Sequence, residues 1–255
     1  MSKVHPTAVV DRHAELADDV LVGPYAIVEG GVILGPGCAL HAHAVVRGPA
    51  VLGARNVVHP FAVLGGEPQA KRHVGRSAGV QIGDDNVFRE HVTVHGGTEG
   101  RATRIGEGNL FMVGSHAAHD VAVGSHCVLS NGAQLAGHAV VEDWVTFGGL
   151  SGVTQHVRVG ESAFVAATAA CERDVPPFVV VQGDRARVRG VNVVGLRRRA
   201  IPEPSIAALQ RAVFKLWLSG ASRAGALAEI RSDDPFVTKL LAALGPRTRP
   251  GAKGA

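Results

Sequence analysis

The chain of 255 residues is long enough for one large domain and a small one, and its 46% apolar content builds a core in which aromatics, at 4%, play little part. No stretch reaches the ~18 consecutive apolar residues of a membrane-spanning helix, and the opening MSKVHPTAVV lacks an export-signal pattern, so a cytoplasmic protein is expected. Charge is uneven: residues 1–184 hold 12 Lys+Arg against 18 Asp+Glu, and residues 185–255 hold 14 against 4. A basic module on an acidic body attracts acidic partners. With only Phe214, Trp217 and Phe236 as aromatics, the module is a poor base-stacking platform, and nucleic acid is not the expected partner.

From Val4 an aliphatic residue recurs every sixth position: Val10, Leu16, Val22 and on to Leu64, then Ile82 to Val94, then Ile105 to Cys171, 26 hexads in all. Four residues after most anchors stands a small or β-branched residue (Ala8, Ala14, Val20, Ala26), and Gly often follows the anchor directly. A period of six fits neither a helix nor a lone amphipathic strand. It fits a short strand and a tight turn, three times per coil, with the anchor pointing into a triangular solenoid of about nine coils, each ~4.8 Å high. Cys38, Cys127 and Cys171 fall in corner or anchor slots, which makes them packing residues, reduced in a cytoplasmic setting.

The phase breaks at 65–81 and 95–104, two polar, Gly-rich segments read as loops, where function commonly sits. The solenoid domain is expected to span 1–186, ending where Pro176-Pro177 cannot continue it. Residues 187–255 read as a small helical domain. Ser205 is the expected cap of one helix, ended by Gly220; Asp234-Pro235 opens another; the basic tail GPRTRPGAKGA is expected to be disordered.

SHAAHD, residues 115–120, interrupts this apolar pattern with two imidazoles and a carboxylate. His119 is two past anchor Ala117, so its ring and that of His116 should point away from the core. Metal ligation lacks a third ligand at this spacing. A merely polar turn is open. Base catalysis is the sharper option: Asp120 or a carbonyl fixes the tautomer and leaves one nitrogen to accept a proton.

VHPTAVV, GSHAAHDVAVG, NGAQLAGHAVV, GGLSGVTQ, DVPPFVVVQGDRA and GVNVVGLRRR resemble, in order and spacing, the acyl-carrier-protein–UDP-N-acetylglucosamine O-acyltransferases of lipid A biosynthesis, a hexapeptide-repeat family. The resemblance covers residues 4–200 and, more loosely, the helices beyond. It implies an all-β left-handed parallel β-helix with a small C-terminal helical domain, a homotrimer with sites between subunits, and transfer of a 3-hydroxyacyl chain from acyl carrier protein to the 3-hydroxyl of a UDP-sugar. It implies no metal and no cofactor beyond the carrier's phosphopantetheine. His119 matches the family's base, Asp120 its orienting partner and Gly137 its oxyanion amide. Gln69, Lys71, Arg72, His116, His138, Gln155, Asn192, Arg198 and Arg199 match substrate positions, and Ala167 stands where a Gly-Gly pair helps stop the acyl chain. The related N-acyltransferase's leading uridine-binding domain is not expected, since hexads begin at Val4.

Four positions depart from the family pattern. Ala70 replaces an acid in the first loop, where Arg72 also stands in place of Lys; Thr154 replaces a histidine before Gln155; Val194 replaces an acid after Asn192. A diamino-sugar analogue therefore remains an alternative acceptor, and a zinc-dependent hydratase or a non-catalytic trimer are alternatives on the same fold.

Overall fold

The computed structural model describes residues 2–245 apart from Arg72 and Glu99. Each of the 26 anchors sits in its own short strand, from Lys3–Val4 to Ala170–Cys171. Every third strand stacks in register, as with His116 over Gln134 and Ala117 over Leu135, so anchors 18 residues apart in an unbroken run share a column. Three parallel faces result. The first begins at Lys3–Val4, the second at Val9–Val10 and the third at Glu15–Leu16. Each corner is named here for the face it follows.

Anchors and corner residues fill the prism; Phe88, Phe111, Leu129 and Leu135 are fully buried, and the Phe88 and Phe111 rings stack at 5.0 Å. Each such side chain contributes about 1.5–3 kcal/mol by burial. The third corner carries a polar spine. Asn56 Oδ1 accepts from the Asn86 amide side chain at 3.0 Å, and Asn86 Oδ1 accepts from that of Asn109 at 2.9 Å. Cys38, Cys127 and Cys171 are buried free thiols, and burial pushes the last two up to about 12 and about 11, as fits packing residues.

The two breaks are loops, trimmed by strands Val63–Gly66, Val80–Ile82, Thr93–His95 and Thr103–Ile105 to 67–79 and 96–102. Both leave the second corner.

Strand Val179–Gln182 extends the first face in parallel, and Arg187–Val191 pairs with it antiparallel. Residues 187–191, expected to begin the helical domain, thus belong to the sheet. Helices Val193–Arg198, Glu203–Val213, Arg223–Glu229 and Pro235–Ala242 close that end of the prism. Asp234 caps the last one, accepting from the Phe236 and Val237 amides. Ser205 is not a cap: Pro202 precedes the helix, Ser205 is buried inside it, and the helix widens into a π turn over Phe214–Leu218. A proline needs no N–H partner at a helix start, which is why the helix begins before the serine. The basic tail lies outside the described residues.

Candidate active site

Two turn positions of the second corner repeat at 18-residue spacing and build two columns. Two past the anchor stand His119, Gly137 and Gln155; three past it stand Asp120, His138 and His156, all left-handed with φ of 61°, 60° and 63°. The His138 N–H donates to the His119 carbonyl at 3.1 Å and the His156 N–H to the Gly137 carbonyl at 3.2 Å, which ties the coils together.

His119 Nδ1 lies 2.8 Å from Asp120 Oδ2, with the two side chains only 9% and 4% exposed. Asp120 is held from the 96–102 loop: its Oδ2 accepts from the Thr98 hydroxyl at 2.7 Å and its Oδ1 from the Thr98 N–H at 2.9 Å. Its own N–H donates to Thr103 Oγ1 at 2.9 Å. Burial raises the Asp120 carboxyl, but the bonds from His119 and Thr98 outweigh it and hold the pKa below the usual value. An ionised carboxylate only accepts, so Nδ1 carries the hydrogen and Nε2 is left facing away from Asp120.

His119 points out of the prism, as expected, yet it is buried. Thr98 grips its partner Asp120, and the His138 ring meets its own edge-on at 5.1 Å. An outward slot is covered here because a loop folds back over the corner. That loop is braced by the other: Gly97 N–H donates to the Gly79 carbonyl at 3.0 Å, and Ala78 N–H to the Gly97 carbonyl at 2.8 Å.

His116 does not share a column with His119 and His138. His116 belongs to the second face, level with Thr93 and Gln134; its Nδ1 bonds Thr93 Oγ1 at 2.8 Å and its ring meets His95 edge-on at 4.8 Å. Burial lowers the His116 pKa. Buried His95, whose Nδ1 has no partner among the described residues, is pushed down to about 4 by burial first and then by the charges of His116 and His119. His95, Thr98 and Thr103 escaped sequence reasoning because they lie in or beside a phase break, where periodicity assigns no direction.

Gly137 faces the His119 ring. Gly137 is buried, and its N–H finds no acceptor among the described residues. Gln155 is exposed in the same column, and Gln69 and Lys71 are exposed on the 67–79 loop; Arg72 lies outside the described residues. His119, Asp120 and His138 offer three ligand atoms within 4.8 Å of one another, the one such group among the described residues able to hold a metal ion.

The other candidates stand elsewhere on the chain. Ala167 shares His119's hexad slot, but its anchor Val165 lies on the first face, so Ala167 is exposed at the first corner. At the third corner Asn192 caps helix Val193–Arg198, accepting from Gly195 N–H at 3.1 Å and donating to the Ser162 carbonyl at 2.9 Å. Arg199 bonds Glu161 and Ser162 and lies 5.1 Å over the Trp144 ring; Arg198 beside it is exposed. Within one chain, Asn192 and Arg199 fasten the helices to the last coils.

Residues 13–48 match the bacterial transferase hexapeptide repeat, and residues 174–251 match the second domain of UDP N-acetylglucosamine O-acyltransferase. The acyl-[acyl-carrier-protein]–UDP-N-acetylglucosamine O-acyltransferase of Xylella fastidiosa is 44% identical, covering 98% of this chain and 97% of the relative. That of Alkalilimnicola ehrlichii is 46% identical, covering 98% of each. The crystal structure of UDP-N-acetylglucosamine O-acyltransferase from Moraxella catarrhalis superposes with a TM-score of 0.89 over 94% of this chain and 95% of that one, at 35% identity. Repeat, C-terminal helices and full-length likeness agree: the chain belongs to the acyl-[acyl-carrier-protein]–UDP-N-acetylglucosamine O-acyltransferase family.

Proposed function

We propose that the protein moves a 3-hydroxyacyl chain from the phosphopantetheine thioester of acyl carrier protein to the 3-hydroxyl of UDP-N-acetylglucosamine, the first step of lipid A biosynthesis. The observation that carries this reading is the buried 2.8 Å contact between His119 Nδ1 and Asp120 Oδ2. It presents Nε2 as a base and holds a carboxylate ready for the imidazolium. As the sugar oxygen attacks the thioester carbon, Nε2 takes its proton. The tetrahedral oxyanion is met by the Gly137 N–H. Collapse breaks the carbon–sulfur bond, the pantetheine thiolate leaves, and the imidazolium returns the proton to sulfur. A positioned base of this kind supplies about 10²–10⁴-fold. No further cofactor is required.

The split of the candidates among corners supports a homotrimer: the second corner of one subunit would meet the Arg198, Arg199 and Asn192 region of its neighbour, with Ala167 along the same seam. Outward side chains on the early coils of the second face (Val9, Ile27, Val45, Val63) are apolar, in keeping with the depletion of charge at the core of a subunit contact. A cleft of about 910 Å³ beside Trp217 and the C-terminal helices, where Arg158, Arg173, Arg185, Arg187, Arg189 and Arg223 outnumber Glu142, Glu172 and Asp174, suits the acidic carrier protein. Among the described residues no helix is long and apolar enough to cross a membrane, and we place the reaction in the cytoplasm.

A zinc hydratase would draw on His119, Asp120 and His138. Both oxygens of Asp120 are already engaged by Thr98 and His119, which favours the proton-transfer role. The test is to incubate the protein with a panel of acyl carriers and sugar nucleotides, including the diamino-sugar analogue, weigh the products, and assay bound zinc. An O-acylated UDP-N-acetylglucosamine from a 3-hydroxyacyl carrier is expected. Acylation of the diamino analogue alone would reassign the acceptor, and stoichiometric zinc without transfer would reassign the chemistry.

A further inference from the structure

His138 stands against the His119–Asp120 pair, and its side chain is 39% exposed. The last torsion of an imidazole side chain has broad minima, so neighbours decide where a partly exposed ring points. Three neighbours stand against it among the described residues. The His119 ring meets His138 edge-on at 87°; Asp120 Oδ2 lies 3.7 Å from its Nε2; and His156 covers its face, with centroids 4.7 Å apart and planes within 9°. Of the three, only His156 lies outside the pair assigned to proton transfer.

His156 is itself firmly placed. It takes the left-handed turn slot one coil on, and its N–H is bonded to the Gly137 carbonyl at 3.2 Å. Aromatic rings in successive slots of this kind stack elsewhere in the molecule: Phe61, with φ of 63°, lies between His43 and His91 at 5.0 and 5.3 Å, each within 6° of parallel. The slot thus accepts a phenyl ring as readily as an imidazole.

We propose that His156 is a positioning residue for the reaction, acting through His138. Its ring forms the back wall that fixes the His138 plane and keeps Nε2 turned toward Asp120. Thr154, one residue before Gln155, is exposed, with its hydroxyl 3.4 Å from the Cys171 carbonyl; the ring that backs His138 comes from the residue after Gln155. The inference rests on the acyl-transfer reading above for its kinetics, but not for its geometry.

The test compares His156→Ala, His156→Phe, His138→Ala and the double alanine variant, each first checked for an unchanged melting temperature. His156→Ala should lower kcat/KM by about 3- to 10-fold, the size of one aromatic stack. His156→Phe, which keeps the stack, should restore it to within about twofold. The double variant should be no slower than His138→Ala, because residues acting through one another do not add. Additive losses, or a phenylalanine variant as slow as the alanine one, would overturn the proposal. If the wild type transfers no acyl group, the acyl-transfer reading fails by itself, and a crystal structure of His156→Ala decides the geometry. A His138 ring turned from its present plane supports the positioning role, and a ring unmoved refutes it.

Discussion

Gly137 lies against the His119 ring so closely that a Cβ added there would fall 2.7 Å from its Cε1 and 2.8 Å from its Nε2. Real Cβ atoms do not approach that near, so any side chain at 137 must push the imidazole from Asp120 or tilt the backbone amide. Gly137→Ala should therefore cost activity about 10²-fold or more, since it disturbs the proposed base and the proposed oxyanion donor together. Parallel measurements of turnover and melting temperature check this. Activity close to wild type would remove Gly137 from the site.

Stability should fall as pH drops from 7 to 5, and His95 should be a main cause. Its folded pKa of about 4 is below the unfolded value of 6.5, so the unfolded chain binds the proton first. Stability is present above pH 6.5, is lost progressively down to about 4 and is flat below, an effect of about 1–2 kcal/mol by pH 5. Lowered His116 acts in the same direction. Asp120 does not contribute in this window: its depressed pKa gives stability that is lost only as pH falls below its ordinary 3.8. Urea midpoints at fixed protein concentration should slope less with pH in His95→Leu.

Asn86 joins three coils, donating to Asn56 Oδ1 and the Gly106 carbonyl and accepting from Asn109. Asn86→Leu would strand buried polar groups on both sides. Each orphan costs about 1–3 kcal/mol, so unfolding should become easier by about 2–5 kcal/mol, readable as a lower urea midpoint.

The basic cleft predicts salt sensitivity. The Debye length contracts from about 10 Å at 0.1 M to about 3 Å at 1 M salt, so kcat/KM for the acyl carrier should fall steeply over that range. A flat profile would show that the arginines around Trp217 are not the carrier's docking surface.

Much of this architecture can be read from spacing. Val4 to Cys171 each landed in a strand because a six-residue period leaves one side chain per face no direction but inward. The direction of His119 followed from the same count, whereas its burial did not: that depends on Thr98, contributed by a loop that interrupts the count. Which corner a hexad turns was countable too: the order of faces continues through both breaks, and Val165 lies eight hexads past Ala117 in an unbroken run, which is not a multiple of three. Ala167 and His119 thus share a slot but not a corner. Asn192 and Arg199 resembled substrate ligands, yet in one chain they bind Ser162 and Glu161, contacts between segments some 30 to 38 residues apart that local pattern cannot reveal.

The most direct test of the account is turnover by His119→Ala. With 3-hydroxyacyl carrier protein and UDP-N-acetylglucosamine, initial rates followed by mass spectrometry should fall about 10²–10⁴-fold. Light scattering should give the same mass as the wild type, and UDP-sugar binding should be kept. A variant within a few-fold of wild type would contradict the assignment of His119 as the base, and with it the mechanism.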